Sequence, residues 1–129
     1  MRRPAGLTKV GATMKTLFVL NDPAYGTERS YNGLRLANAL AKRDGEEVRV
    51  FLMADAVSCA LAGQQTPNGY YNLERLLNSV IHRGAEVGLC GTCMDARAIG
   101  ESQLVESARR SSLDELADWT VWADKVIDF

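Results

Sequence analysis

Short apolar runs separated by polar, turn-forming stretches recur along the chain, and their lengths predict strands alternating with helices. TLFVL at 16–20 is a continuous apolar run with β-branched and aromatic members, short enough for a buried strand. Asn21-Asp22-Pro23-Ala24-Tyr25-Gly26 then supplies turn residues, and Thr27 is placed to cap a helix over 28–42. In that helix Tyr31, Leu34, Leu36, Ala37, Leu40 and Ala41 form an apolar stripe opposite Glu28, Arg35 and Lys42. VRVFLM at 48–53 predicts a second strand, with Asp55 just beyond its end. Residues 56–62 read as a short helix ended by Gly63, and 64–69, with Pro67, as an exposed connection. Asn72 caps a helix carrying Leu73, Leu76, Leu77, Val80 and Ile81 until Gly84 closes it.

A third strand is predicted over 86–89, leading directly into Cys90-Gly91-Thr92-Cys93. Residues 103–107 predict a short fourth strand. Ser112-Leu113-Asp114-Glu115 is a capping-box sequence opening a helix whose buried side is assigned to Leu113, Leu116, Ala117 and Val121, and KVIDF at 125–129 gives a last strand. This alternation predicts one α/β domain over 14–129: three layers around a mostly parallel five-stranded sheet of flavodoxin- or Rossmann-like type. Functional groups of such sheets gather beyond the carboxyl ends of the strands. That rule places the 21–26 loop, Asp55 and the 90–97 loop on one rim. Residues 1–13 are polar and basic and read as a loosely attached leader.

Composition narrows the chemistry. A chain of 129 residues is long enough for one core and short for two, and 47% apolar with 24% charged residues excludes general disorder. The net charge of −1 leaves no broad basic face, which argues against a nucleic-acid partner. No apolar run approaches the roughly 20 residues of a membrane span, so a soluble, cytoplasmic protein with no membrane partner is expected. Three cysteines cannot all pair within one chain, and CxxC here reads as redox, sulfur or metal chemistry.

Candidate chemistry therefore centres on Cys90 and Cys93. A cysteine at a strand end followed by glycine has open access, and backbone N–H groups of a helix opening near Asp95, with Arg97, would favour its thiolate, while Asp95 opposes it. The alternative is a pair of buried, unreactive cysteines. Cys59, between Val57 and Leu61, reads as core. Structural zinc lacks its second ligand pair, since only Cys59 and His82 remain, and no metal is expected. His82 reads as a helix-end residue. A thioredoxin-type exchanger would place a cis-proline downstream of the cysteines, whereas Pro4, Pro23 and Pro67 all precede them. Neither G-x-G-x-x-G nor G-x-x-x-x-G-K-[ST] is present, so no phosphate cofactor, and no cofactor of any kind, is expected. A Ser/His/Asp hydrolase is disfavoured by the position of the single histidine.

Five segments in order carry a family resemblance: N-D-P-A-Y-G-T-E from Asn21, L-R-L-A-N-A-L from Leu34, F-L-M-A-D-A-V from Phe51, L-C-G-T-C-M-D-A-R from Leu89 and A-D-K-V-I-D-F from Ala123. In these the chain resembles the DsrE/DsrF-like sulfur-relay family and its small YchN-type branch. The resemblance implies a homo-oligomer, a trimer or hexamer, with the active cysteine near subunit boundaries. It further implies that Cys90 carries a persulfide, taken from a sulfur-donor protein and passed to an acceptor, as in a sulfurtransferase. Cys93 is expected to assist, and Asn21, Tyr25, Asp55 and Arg97 to shape the pocket. Where the family commonly shows D-G-R-G, this chain has Asp95-Ala96-Arg97-Ala98, so two residues that tolerate positive φ are lost. A non-catalytic oligomeric adaptor with the same fold is the competing expectation.

Overall fold

In a computed structural model, which describes residues 13–67 and 71–129, five strands form one parallel sheet in the order β4-β3-β2-β1-β5. The strands are β1 (Met14–Leu20), β2 (Glu46–Leu52), β3 (Glu86–Cys90), β4 (Ala108–Ser111) and β5 (Lys125–Asp128). Four helices connect them: α1 (Arg29–Ala41), α2 (Leu73–His82), α3 (Gly91–Ala96) and α4 (Leu113–Trp122). The expected leader falls outside the described residues except for Thr13, whose hydroxyl donates to Glu47 at 3.2 Å. Residues 68 and 69 of the expected 64–69 connection also lie outside them.

Alternation along the strands divides the core into two layers. Phe18, Leu20, Val50, Leu52, Val87 and Leu89 face α1 and α2, which bury Leu34, Ala37, Leu73, Leu77 and Val80 against them. The opposite residues, Leu17 and Phe51, face α4 and meet Trp119. The predicted stripe of α1 holds at Leu34 and Ala37 but not at Leu36, which is 39% exposed. Capping by Asn72 is as predicted: its side chain accepts from the Arg75 N–H at 3.0 Å. Thr27 is not the cap of α1, because Glu28 holds that position; the Thr27 hydroxyl accepts only a long 3.4 Å contact from the Arg29 N–H. The short helix expected over 56–62 is present as a 3₁₀ helix, Ala54–Ala60, which ends at Leu61 before reaching Gly63.

Two further expectations are corrected. The fourth strand is Ala108–Ser111, not 103–107; Glu101–Gln103 forms a 3₁₀ turn, and Leu104 makes only an isolated antiparallel bridge to Leu61. The buried side of α4 is also misassigned, since Leu113 and Val121 are 71% and 87% exposed while Trp119 is 4% exposed. Its ring determines the orientation of α4. It meets Phe51 edge-on at 6.0 Å, and the Arg49 guanidinium lies 5.2 Å from its centroid. Gly88 of β3 makes room for it: a Cβ there would come within 3.3 Å of the indole. Ser112 caps α4 by accepting from the Glu115 N–H at 3.2 Å, but the Glu115 carboxylate does not complete the box. It pairs instead with Arg109 and accepts from the Ser111 hydroxyl.

Among the described residues no helix is long and apolar enough to cross a membrane.

Candidate functional site

The site forms where β3 runs out and α3 begins without an intervening loop. Cys90 is both the last residue of β3 and the cap position of α3, so the helix opens four residues before the expected Asp95. The cap geometry aims backbone N–H groups at the residue preceding a helix. Cys90 is half-buried against the edge of the Leu17–Phe51–Trp119 cluster. Cys93, in the first turn of α3, is half-buried against the other layer.

Electrostatics distinguish the two thiols. Partial burial pushes the Cys90 thiol up, but hydrogen bonds from the Cys93 thiol, the Thr92 hydroxyl and the backbone N–H groups of Cys93 and Thr92 outweigh it. The net direction is down from the ordinary cysteine value, toward the thiolate. The Thr92 hydroxyl lies 3.2 Å from the Cys90 sulfur. Cys93 moves the other way: burial raises it first, then its hydrogen bond to Cys90, against a lowering contribution from the Ala54 N–H. A nucleophile and a proton-holding neighbour thus share one turn. Replacing the exposed Thr92 by valine removes one donor, so the midpoint of Cys90 alkylation against pH is expected to move upward.

Arg110 is a residue that sequence reasoning missed. Its guanidinium donates to both carboxylate oxygens of Asp95, at 2.7 and 2.9 Å, and lies over Gly91, where an added Cβ would come within 2.9 Å of it. The side-chain bond to Arg110 holds the Asp95 carboxyl below its usual range, so the charge expected to oppose the Cys90 thiolate is engaged elsewhere. The Arg110 cation is in turn raised, chiefly by Asp95 and in small part by Cys90. The signal for Arg110 lies in β4, whose register sets Ser111 beside Cys90, and misplacing that strand hid it.

Among the pocket candidates, Asp55 and Arg97 are brought together. Arg97 donates through Nε and one terminal nitrogen to the same Asp55 oxygen, at 3.0 and 2.8 Å, and through the other to the Cys93 carbonyl at 3.1 Å. This pair therefore serves Cys93, not Cys90. Ala54, next to Asp55, donates its N–H to the Cys93 sulfur at 3.2 Å from a left-handed backbone with φ +51°. Such a conformation costs an alanine about 1–3 kcal/mol. Asn21 and Tyr25 serve other contacts. The Asn21 amide donates to Asp128 at 2.6 Å and to the Phe129 carbonyl, while the Tyr25 hydroxyl donates to Gln64 at 2.6 Å and accepts from the Leu73 N–H. Of the two positions where glycine is lost, Ala96 is helical and Ala98 enters the left-handed region at φ +56° without glycine. Cys59 is fully buried, its thiol pushed up to about 12 by desolvation, and His82 is exposed at the end of α2.

A parallel sheet ending in a strand-to-helix cysteine, across nearly the whole chain, defines the class. The chain belongs to the DsrE/DsrF-like family, which it matches over residues 14–129. It is 40% identical over 116 residues to protein YchN of Escherichia coli, covering 89% of this chain and 98% of YchN. It is 38% identical over 111 residues to an uncharacterised protein, MK0008, of Methanopyrus kandleri, covering 86% of this chain and 90% of that one. The crystal structure of E. coli YchN superposes with a TM-score of 0.85, covering 91% of this chain and all of that one. MTH1491 of Methanobacterium thermoautotrophicum, a protein of unknown function, shares the fold alone: its TM-score is 0.72 at 11% identity, covering 90% of this chain and 99% of that one.

Proposed function

We propose that this protein is a sulfur carrier, in which Cys90 takes sulfane sulfur from a donor as a persulfide and yields it to an acceptor thiol. The observation that carries this reading is the state of one atom. The Cys90 sulfur is reachable at a strand end, and hydrogen bonds from its own turn hold it toward the thiolate. A thiolate is the form that attacks a sulfane sulfur, with the donor's thiolate leaving. Asp55 and Arg97 fix the turn that contains the second thiol, and Asp95 with Arg110 fixes α3 against β4. Incubating the reduced chain with a persulfide donor and weighing it intact tests the proposal: a chain heavier by one sulfur atom is the expected product.

The same reading includes self-association in the cytoplasm. Leu113 and Val121 of α4 and Val126 of β5 are exposed, and Val126 pairs in register with Leu17, which faces α4. The family resemblance supplies the occupant, a second copy of the chain, as trimers or hexamers. Light scattering is expected to give a multiple of the 14.1 kDa chain mass; a value at 14.1 kDa contradicts it.

A further inference from the structure

Cys93 is held more deliberately than a packing residue requires. Its sulfur accepts the Ala54 N–H at 3.2 Å, and its carbonyl accepts from Arg97 at 3.1 Å, with Arg97 itself held by Asp55. Its side chain and that of Cys90 act on each other's titration, lowering Cys90 and raising Cys93. A cysteine that only filled space would need neither the strained donor at Ala54 nor the guanidinium at its carbonyl. Three residues apart on one helical turn, the two side chains lie on the same side, and the Cβ separation of about 5–6 Å usual at that spacing must shorten to the roughly 3.5–4.5 Å that a disulfide spans. The end of β3 at Cys90 supplies the remaining adjustment, because Cys90 is the cap of α3 and not part of its hydrogen-bonded interior.

We propose that Cys93 is a resolving thiol that attacks the inner sulfur of a persulfide on Cys90, closing a Cys90–Cys93 disulfide and discharging the carried sulfur as hydrosulfide. This rests on the reading of Cys90 as the sulfur carrier. The persulfide enters the step as an anion and Cys93 as a thiol. The Cys93 sulfur bonds to the Cys90 sulfur, the bond to the outer sulfur breaks, and the Cys93 proton leaves with that sulfur as HS⁻. Charge and hydrogen count are conserved. The outer sulfur gains two electrons, and each cysteine sulfur loses one. The proton passes from Cys93 to the departing sulfur as the new bond forms, because the thiolate is the attacking form. The disulfide then requires two electrons and two protons from a cellular thiol or dithiol reductant before another turnover. The turn that opens α3 holds Cys93 beside Cys90 and so nearer the inner sulfur than the outer one; attack on the outer one would only move the persulfide to Cys93. The activity is therefore reductive discharge of sulfane sulfur, running beside transfer to an acceptor.

The test uses the full chain, reduced and free of oxygen, treated with inorganic polysulfide and desalted at once. Intact mass and released hydrosulfide are then followed in time. In the wild type the species heavier by one sulfur is expected to decay to one lighter by two hydrogens, with one hydrosulfide released per chain. In Cys93→Ser the persulfide should persist, with loss of hydrosulfide release and no disulfide. Cys93→Ala gives the same reading if the serine variant loses its fold by circular dichroism. A wild type that keeps its persulfide as long as the Cys93 variants overturns the resolving role and leaves the carrier reading standing. A wild type that takes up no sulfur and releases none overturns both.

Discussion

Cys90→Ser is expected to abolish sulfur uptake while leaving the fold intact. Serine has nearly the same shape, and Cys90 is only half-buried, so the change in stability should stay within about 0.5 kcal/mol. Its hydroxyl remains protonated near neutral pH and is a poor nucleophile without an adjacent base, so no sulfur adduct should form. Cys59→Ser should behave oppositely. The Cys59 thiol is fully buried and held protonated, so uptake should persist, while a hydroxyl placed in that core costs about 1–3 kcal/mol unless it finds a partner. Intact mass after donor treatment, beside urea unfolding of each variant, checks the pair. Uptake that survives Cys90→Ser would move the site elsewhere. Partner capture by a wild type that takes up no sulfur would favour the adaptor.

Trp119→Ala is expected to be the most destabilising single change on the α4 face, by about 3–5 kcal/mol. Among the described residues that face buries Leu17 and Phe51 with Trp119, and Val19, Met53, Leu116 and Trp122 are partly buried around them, so the Trp119 indole is the largest buried group in a small cluster. The indole also carries the Phe51 edge contact and the Arg49 and Arg109 guanidinium contacts, at 5.2 and 5.7 Å. A domain is typically stable by about 5–15 kcal/mol, so the variant should be close to unfolding. Denaturant curves at one fixed chain concentration read this directly, because self-association adds to apparent stability. A loss under about 1 kcal/mol would mean that α4 is held by something other than this ring.

The two strands at 16–20 and 48–53 read clearly in the sequence because they are covered on both faces. TLFVL and VRVFLM lie at the centre of the sheet, and a run covered on both sides is apolar throughout. The edge strand β4 reads Ala-Arg-Arg-Ser and carries no such signal, because its arginines reach sideways to Glu115 and Asp95 instead of into a core. Helix α4 failed for a different reason. Leu113, Leu116, Ala117, Trp119, Val121 and Trp122 surround the helix with apolar groups, so periodicity alone cannot choose the buried side. The choice is made across the sheet, by the gap that Gly88 leaves for the indole. The two cysteines were legible because CxxC follows a strand. Their different surroundings were not, since Arg110 reaches Gly91 and Asp95, and Ala54 reaches Cys93, from segments distant in sequence.

Everything assigned to the site depends on the Cys90 sulfur being ionised and reachable. Alkylation of the reduced chain by iodoacetamide across pH, with the modified cysteine identified by peptide mass, measures both properties at once. Because the thiolate is the reacting form and its hydrogen bonds lower the pKa, the Cys90 rate should rise with pH with a midpoint below that of a free cysteine, with Cys93 following at higher pH. A Cys90 that stays unmodified in the folded chain, or that titrates above a free thiol, would contradict the account.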